Sequence, residues 1–418
     1  MIGSRIGSHC EHRRYSTVGY ESLSPFTLPG SSVQQPPHRH SRRIQFGVIL
    51  LIVLLLMAHP VYSHLRAAGL LLRIQDPNQP GTMARISTYP VQEKLTTVAT
   101  SSGTIPARLY IPQGATHAPG MVIVHGVHHL GIQEPRLVRF ARAVSSSGIQ
   151  VLTPELASLA NYQIDSQSIA LIGDSARSLS ADMGHKVGVL GLSFAGGLSL
   201  LAAADDRYAP FIQFVVSVGS HDDLERVSGF LITNQIVRPD GTTLAMSAHE
   251  YGPLVLIYSH VDDFFPATDV EAARKSLRLL LWEQVDESKT AAAQLTPASR
   301  AKMELLYQHQ SAKLADEMKQ VISRHRADMA TVSPHDHLSS LHVPVLLLHG
   351  AADNVIPPSE LLWLQNDIPP HYVKDALISP AISHVSMEGE PSVGDKFRLV
   401  HFMAQMLALT DSAERTRR

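Results

Sequence analysis

The fold class this chain predicts is α/β, built on a doubly wound, mostly parallel sheet with a helical cap and an N-terminal hydrophobic segment. Three observations lead there. Short uncharged runs recur at Met121–Val124, Val151–Leu152, Val187–Leu190, Phe214–Val218 and Val345–Leu348. Continuous apolar runs, as opposed to alternating ones, belong to strands buried on both faces. Helical segments separate these runs, and that alternation marks a parallel sheet layered between helices. One stretch, residues 224–340, interrupts the alternation with over a hundred residues of mainly helical pattern. That is too long for a structureless loop, so it reads as a cap inserted between two core strands.

The elements follow in order. Residues 1–43 are rich in Ser, Pro, His and Arg and poor in large apolar side chains. Such a segment buries too little to offset its ordering entropy and reads as a disordered arm. Residues 44–62 hold the uncharged run Phe46–Ala58, preceded by Arg39, Arg42 and Arg43. Its length lies between a signal-peptide core and a full span, and basic residues before it favour a signal anchor with its N-terminal side in the cytoplasm. The expected location is therefore the cell membrane, with the rest of the chain outside the cytoplasm. Export after cleavage near Val61 and Ser63 is the alternative. Residues 63–91, with Pro77, Pro80 and Gly81, read as a connector.

The core is expected over residues 92–223 and again over 341–410. It opens with an antiparallel hairpin from Leu95 to Ile111 about Ser101, Ser102 and Gly103. Within the insertion, Thr268 with Glu271 forms a capping-box pattern, and Thr296 precedes a proline at a first helical position. Met303, Leu306, Tyr307, Leu314, Met318 and Val321 then keep near-helical spacing. Phe397–Leu407 reads as a closing amphipathic helix, and residues 411–418 as a flexible tail.

Composition narrows the function. With 35 basic and 37 acidic side chains, the net charge of -2 supplies no field to attract nucleic acid. The single cysteine, Cys10, excludes an internal disulfide and a Cys-rich metal site. His128 and His129 are adjacent, and adjacent side chains rarely converge on one ion, so no metal is expected.

Four segments put reactive side chains after predicted strands. In Val187-Gly-Val-Leu-Gly-Leu-Ser-Phe-Ala-Gly-Gly197 a buried strand runs into Ser193, with Gly191 and Ala195 two positions to either side. In Met121-Val-Ile-Val-His-Gly-Val127 a strand ends at His125 and Gly126. Val343-Pro-Val-Leu-Leu-Leu-His-Gly350 is followed by Asp353 in a loop closed by prolines. His384 comes after one more strand-like segment, Tyr372–Ile378.

Together these segments resemble the α/β-hydrolase superfamily over roughly Leu95–Leu407. The first is similar to the nucleophile elbow, a tight turn whose flanking positions must be small; Ala195 stands where the family usually has glycine. The family order of nucleophile, acid and base is met by Ser193, Asp353 and His384. The resemblance implies Ser193 as nucleophile, His384 as general base and Asp353 as the acid that orients it. It implies an oxyanion hole from the backbone N–H groups of Val127 and Phe194, with His125 and Gly126 shaping the loop. A serine hydrolase is the implied activity, acting without a cofactor on a small-molecule ester or related acyl substrate. A serine peptidase or thioesterase, or a catalytically silent binding module at the membrane, are the other readings.

A rival for the acid exists. Pro253-Leu-Val-Leu-Ile-Tyr-Ser-His-Val-Asp262-Asp263-Phe-Phe-Pro266 has the same local pattern. Taking it as the acid strand would make His349 the base and would split the last strands with a second insertion. Asp353 keeps the insertion single. Asp222 and Asp223 are a further alternative.

Overall fold

The computed structural model describes residues 60–76, 81–382 and 391–415. The arm expected over residues 1–43, the hydrophobic run Phe46–Ala58 and His384 lie outside them. No helix of the described residues is long and apolar enough to cross a membrane.

An eight-stranded sheet organises the described chain, in the order β1-β2-β4-β3-β5-β6-β9-β10. Strands β1 (Val91–Thr100) and β2 (Gly103–Pro112) pair antiparallel, Thr100 facing Gly103 across a two-residue turn. Gly103 there has φ 125°, which a side chain rarely tolerates. β2 is also antiparallel to β4 (Gln150–Pro154). From β4 onward, β3 (Gly120–Val124), β5 (Val187–Leu192), β6 (Ile212–Val218), β9 (Val345–Gly350) and β10 (Val373–Ser379) all run parallel. The buried runs of β3, β4, β5, β6 and β9 are the ones expected, while β10 is mostly only partly buried. This is the sheet of the α/β-hydrolase fold.

Helices cover both faces. Helix α1 is described over residues 60–75, within the segment read as a connector. It packs on one face with α2 (Pro135–Ser146), burying Ala67 and Leu70 beside Leu137 and Val144. The short α3 (Ala157–Ala160) follows, and α4 (Ser166–Met183) and α5 (Phe194–Ala204) cover the opposite face. Helix α4 is delimited locally. Asp165 accepts the Ser168 N–H at 2.9 Å at its start, and Gly184 turns out of it at φ 70°.

Between β6 and β9 the chain is mainly helical: α6 (Leu224–Thr233), α7 (Tyr251–Ser259), α8 (Val261–Phe264), α9 (Val270–Leu281), α10 (Val285–Ala292), α11 (Pro297–Tyr307), α12 (Ala315–Arg324) and α13 (Arg326–Thr331). It holds its own buried cluster, including Tyr258, Leu277, Met303 and Met318. Two local expectations are corrected here. Asp269, not Thr268, precedes α9, and no side-chain cap forms there. The run from Met303 to Val321 is broken, because His309 adopts φ 55° between α11 and α12. A small hairpin, β7 (Gln235–Val237) with β8 (Thr243–Ala245), was not foreseen. Last come α14 (Ser359–Asp367) and α15 (Val393–Arg415), the latter continuing into the segment read as a tail. Asp411 there holds Arg66 of α1 at 2.7 Å.

Candidate active site

Ser193 sits between β5 and α5 with φ 56° and ψ −139°, and it is 4% exposed. A non-glycine residue there is strained, and it persists only where its surroundings enforce it. The enforcement is visible. The Ser193 N–H donates to the Val218 carbonyl at 2.8 Å, while its own carbonyl accepts the Gly196 N–H at 2.9 Å. A Cβ on Gly191 would lie 2.3 Å from the Ala195 carbonyl oxygen, so glycine is obligatory at that position. Ala195 itself is wholly buried and accommodated.

The loop after β3 lies against the serine. A Cβ on Gly126 would stand 3.0 Å from Ser193 Cβ and 3.7 Å from its Oγ. His125 fixes this loop: its Nδ1 faces the Gly126 carbonyl at 2.8 Å and its Nε2 faces the Leu156 N–H at 3.0 Å. Only the tautomer with the proton on Nδ1 satisfies both, and burial lowers the ring's pKa so that it stays neutral. Val127 follows, its carbonyl accepting the Tyr251 hydroxyl at 3.1 Å. Burial pushes the Tyr251 phenol up, which keeps it a donor. Phe194 opens α5, where a first-turn N–H has no intrahelical acceptor and the helix dipole favours negative charge.

Asp353 lies in the loop after β9 and is fully buried. Its Oδ1 accepts the N–H groups of Val355 and Ile356, each at 3.0 Å, which sets the plane of the carboxylate. His349 braces the same loop. Its Nε2 donates to the Ile356 carbonyl at 2.9 Å and lies 3.4 Å from Asp353 Oδ2.

The rival segment is helical, not a strand: it falls in α7 (Tyr251–Ser259) and α8 (Val261–Phe264). Asp262 is exposed and pairs with Arg274, and Asp263 pairs with Arg324 and His325. Asp223 caps α6 by accepting the Glu225 N–H at 2.8 Å. Asp222 pairs with Arg226 at 2.8 Å, and burial pushes its carboxyl up to about 7.

Among the described residues, two groups bring ligand atoms within 4.8 Å of one another: His260 with Asp263 and His325, and Asp222 with His335 and Asp367. An arginine already compensates a carboxylate in each, Arg324 in the first and Arg226 in the second. His128 and His129 instead stack on each other, and His129 stacks on Trp282.

A cavity of about 700 Å3 opens at Ser193. The helical insertion supplies Tyr251, Leu254, Leu281 and Leu306 to its walls, beside Tyr162 of the core. Tyr251 was not singled out from the sequence. An aromatic residue within a helical apolar run carries no local mark that separates a site wall from a core position.

No family model matches the chain, and no curated protein matches it. Solved structures similar to it include 2,6-dihydroxy-pseudo-oxynicotine hydrolase, at 16% identity and TM-score 0.41, covering 77% of this chain and 68% of that one. A hyperthermophilic esterase from Pyrobaculum calidifontis matches at 16% identity and TM-score 0.40, covering 79% and 85%. The acylaminoacyl peptidase of Pyrococcus horikoshii matches at 11% identity and TM-score 0.45, covering 78% and 42%.

Proposed function

We propose that this chain is a serine hydrolase that cleaves carboxylic esters through an acyl-serine intermediate. The observation that carries the reading is Ser193 held at φ 56° on a strand-to-helix turn, at the wall of a mainly apolar cavity. Strain of that kind is maintained where it positions a reactive group.

The Ser193 hydroxyl attacks the acyl carbon and loses its proton to His384, the base assigned by chain order. The carbonyl oxygen becomes an oxyanion, which the N–H groups of Val127 and Phe194 stabilise. Collapse expels the alcohol, which takes the proton from the imidazolium. Water then attacks the acyl-serine, giving its proton to His384, and the acid is released as Ser193 is regenerated. Asp353, its plane fixed by two backbone N–H groups, holds the imidazole tautomer. The helical insertion acts as a lid that selects among substrates. The basic residues Arg39, Arg42 and Arg43 ahead of the apolar run Phe46–Ala58 support a location at the membrane with the catalytic domain outside the cytoplasm. Fractionation with protease accessibility tests that placement.

Turnover of p-nitrophenyl esters by the purified protein and by Ser193→Ala tests the reading. Loss of the nucleophile is expected to cost about 10⁶ in kcat. Unchanged turnover in the variant overturns it.

A further inference from the structure

The helical insertion leaves the core and returns to it at one place. It departs after β6, at Asp222 and Asp223, and α13 leads back through Ser333 and His335 toward β9. The two crossings are stitched together. The His335 N–H donates to the Asp222 carbonyl at 3.0 Å, and the Leu224 N–H donates to Ser333 Oγ at 2.9 Å. Helix α14 of the core meets both, through Glu360 near its start and Asp367 at its end.

Three ligand-type side chains converge at this neck. His335 Nδ1 stands 2.6 Å from Asp367 Oδ2 and 3.6 Å from Asp222 Oδ2. We infer that the neck binds a divalent transition-metal cation, Zn²⁺ foremost, through His335 Nδ1 and one carboxylate oxygen each from Asp222 and Asp367, and that the ion clamps the insertion to the core. None of the three lines the cavity at Ser193, so the role of the ion is structural. No ligand spacing in the sequence marks the site, because the three side chains come from three separate segments.

Charge argues for an ion. Asp222 and Glu360 are wholly buried and Asp367 is mostly so. Arg226 answers the first two, reaching Asp222 Oδ2 at 2.8 Å and Glu360 Oε1 at 2.7 Å. One guanidinium against three carboxylates leaves a negative surplus, and buried charge is costly unless paired. A proton on His335 supplies one positive charge; a divalent ion in its place supplies two. Asp222 Oδ1 is an independent sign. It is buried and, among the described residues, has no hydrogen-bond partner, so the carboxylate keeps one oxygen for a cation while Oδ2 keeps Arg226. A buried acceptor left without a partner calls for an explanation, and a bound cation is one.

The geometry fits with small shifts. Bonds of about 2.0–2.1 Å to nitrogen and oxygen in a tetrahedral zinc shell put neighbouring ligand atoms about 3.3 Å apart. The 3.6 Å pair closes slightly and the 2.6 Å pair opens as the Nδ1 proton departs. Imidazole beside carboxylates selects zinc or a neighbouring transition ion over Ca²⁺ and Mg²⁺, which prefer all-oxygen shells. The other ring nitrogen, Nε2, lies 3.7 Å from Asp336 Oδ2, and a carboxylate there is the usual outer partner of a ligating histidine. The His335 side chain is 38% exposed, which gives the ion a path from solvent.

The test is Zn²⁺ binding, by isothermal titration calorimetry, to the metal-stripped full chain, to His335→Gln and Asp367→Asn, and to His325→Gln in the other His–Asp group. The chain has 23 histidines, so the readout is the difference between parent and variant. The clamp predicts one equivalent of Zn²⁺ that is lost, or weakened at least tenfold, in both site variants and is unaffected in His325→Gln. The melting midpoint of the parent rises with Zn²⁺, and that of His335→Gln does not. If Asp367→Asn does not fold, His335→Gln, at a partly exposed position, decides the matter. No Zn²⁺ binding by the parent, undiminished binding in His335→Gln, tighter binding of Ca²⁺ or Mg²⁺, or a loss confined to His325→Gln overturns the inference. Ester turnover enters none of these readouts, so the result stands apart from the hydrolase reading.

Discussion

The carbonyl oxygen of Ala195 stands 2.3 Å from where a Cβ on Gly191 would lie, so the strand before Ser193 and the helix after it meet with no room for a methyl group. The obstruction is backbone, which cannot rotate away. Gly191→Ala is expected to cost roughly 1–3 kcal/mol of stability and to abolish ester turnover, because the turn must open. Ala195→Gly, which adds no atom, retains turnover. Thermal melts and initial rates on the two variants check this, and an active Gly191→Ala protein contradicts the tight turn.

The Tyr251 hydroxyl donates to the Val127 carbonyl at 3.1 Å and so links the helical insertion to the loop beside Ser193. A net hydrogen bond is worth about 1 kcal/mol, so Tyr251→Phe is expected to lower kcat/KM by about fivefold with the fold retained. A variant with wild-type kinetics removes Tyr251 from the positioning of that loop.

Much of this architecture is legible in the sequence. The buried strands, the hairpin at Ser101–Ser102 and the single large insertion follow from apolar runs and turn residues, because those patterns encode burial on two faces directly. Chain order chooses Asp353 over Asp262 and Asp263, and the rival segment is helical in α7 and α8. Local pattern could not have decided, since an apolar run of that length fits a buried helix as well as a buried strand. Helix α1 was missed for a different reason. Its buried stripe, Ala67 with Leu70, is short and follows a much more apolar run, and only tertiary packing gives it a role. The contact of Tyr251 with Val127 spans 124 positions and has no local trace.

Acid sensitivity follows from buried histidines. Burial and the neighbouring His325 lower the pKa of His260 from 6.5 to about 4. The unfolded chain therefore binds a proton between those values that the folded chain refuses. The stability His260 contributes is full above pH 6.5 and is lost as pH falls toward 4. Buried His125 and His221 act with the same sign. Asp222, raised to about 7, acts oppositely between 3.8 and 7. Urea midpoints measured from pH 7 to 4.5 should fall less steeply in His260→Gln than in the parent, a comparison in which the other groups cancel. An equal slope contradicts the assignment.

Asp353 accepts two backbone N–H groups and is fully buried, whereas Asp262 and Asp263 serve ion pairs of the insertion. Changing the tautomer-fixing carboxylate to its amide is worth about 10⁴ in kcat in the best-studied triad. Asp353→Asn is expected to fall by several orders of magnitude, and Asp262→Asn and Asp263→Asn to stay within a few-fold of the parent. The reverse pattern in kcat on one ester would overturn the choice of acid, and with it His384 as base.

An activated Ser193 is open to covalent labelling. A fluorophosphonate reacts with a serine only when a base takes its proton and an oxyanion site receives the charge. Intact-mass analysis after labelling should show one adduct per chain, mapped by peptide sequencing to Ser193. The adduct should be absent from Ser193→Ala and form far more slowly in Asp353→Asn. An adduct on another residue, or labelling that persists in Ser193→Ala, contradicts the account.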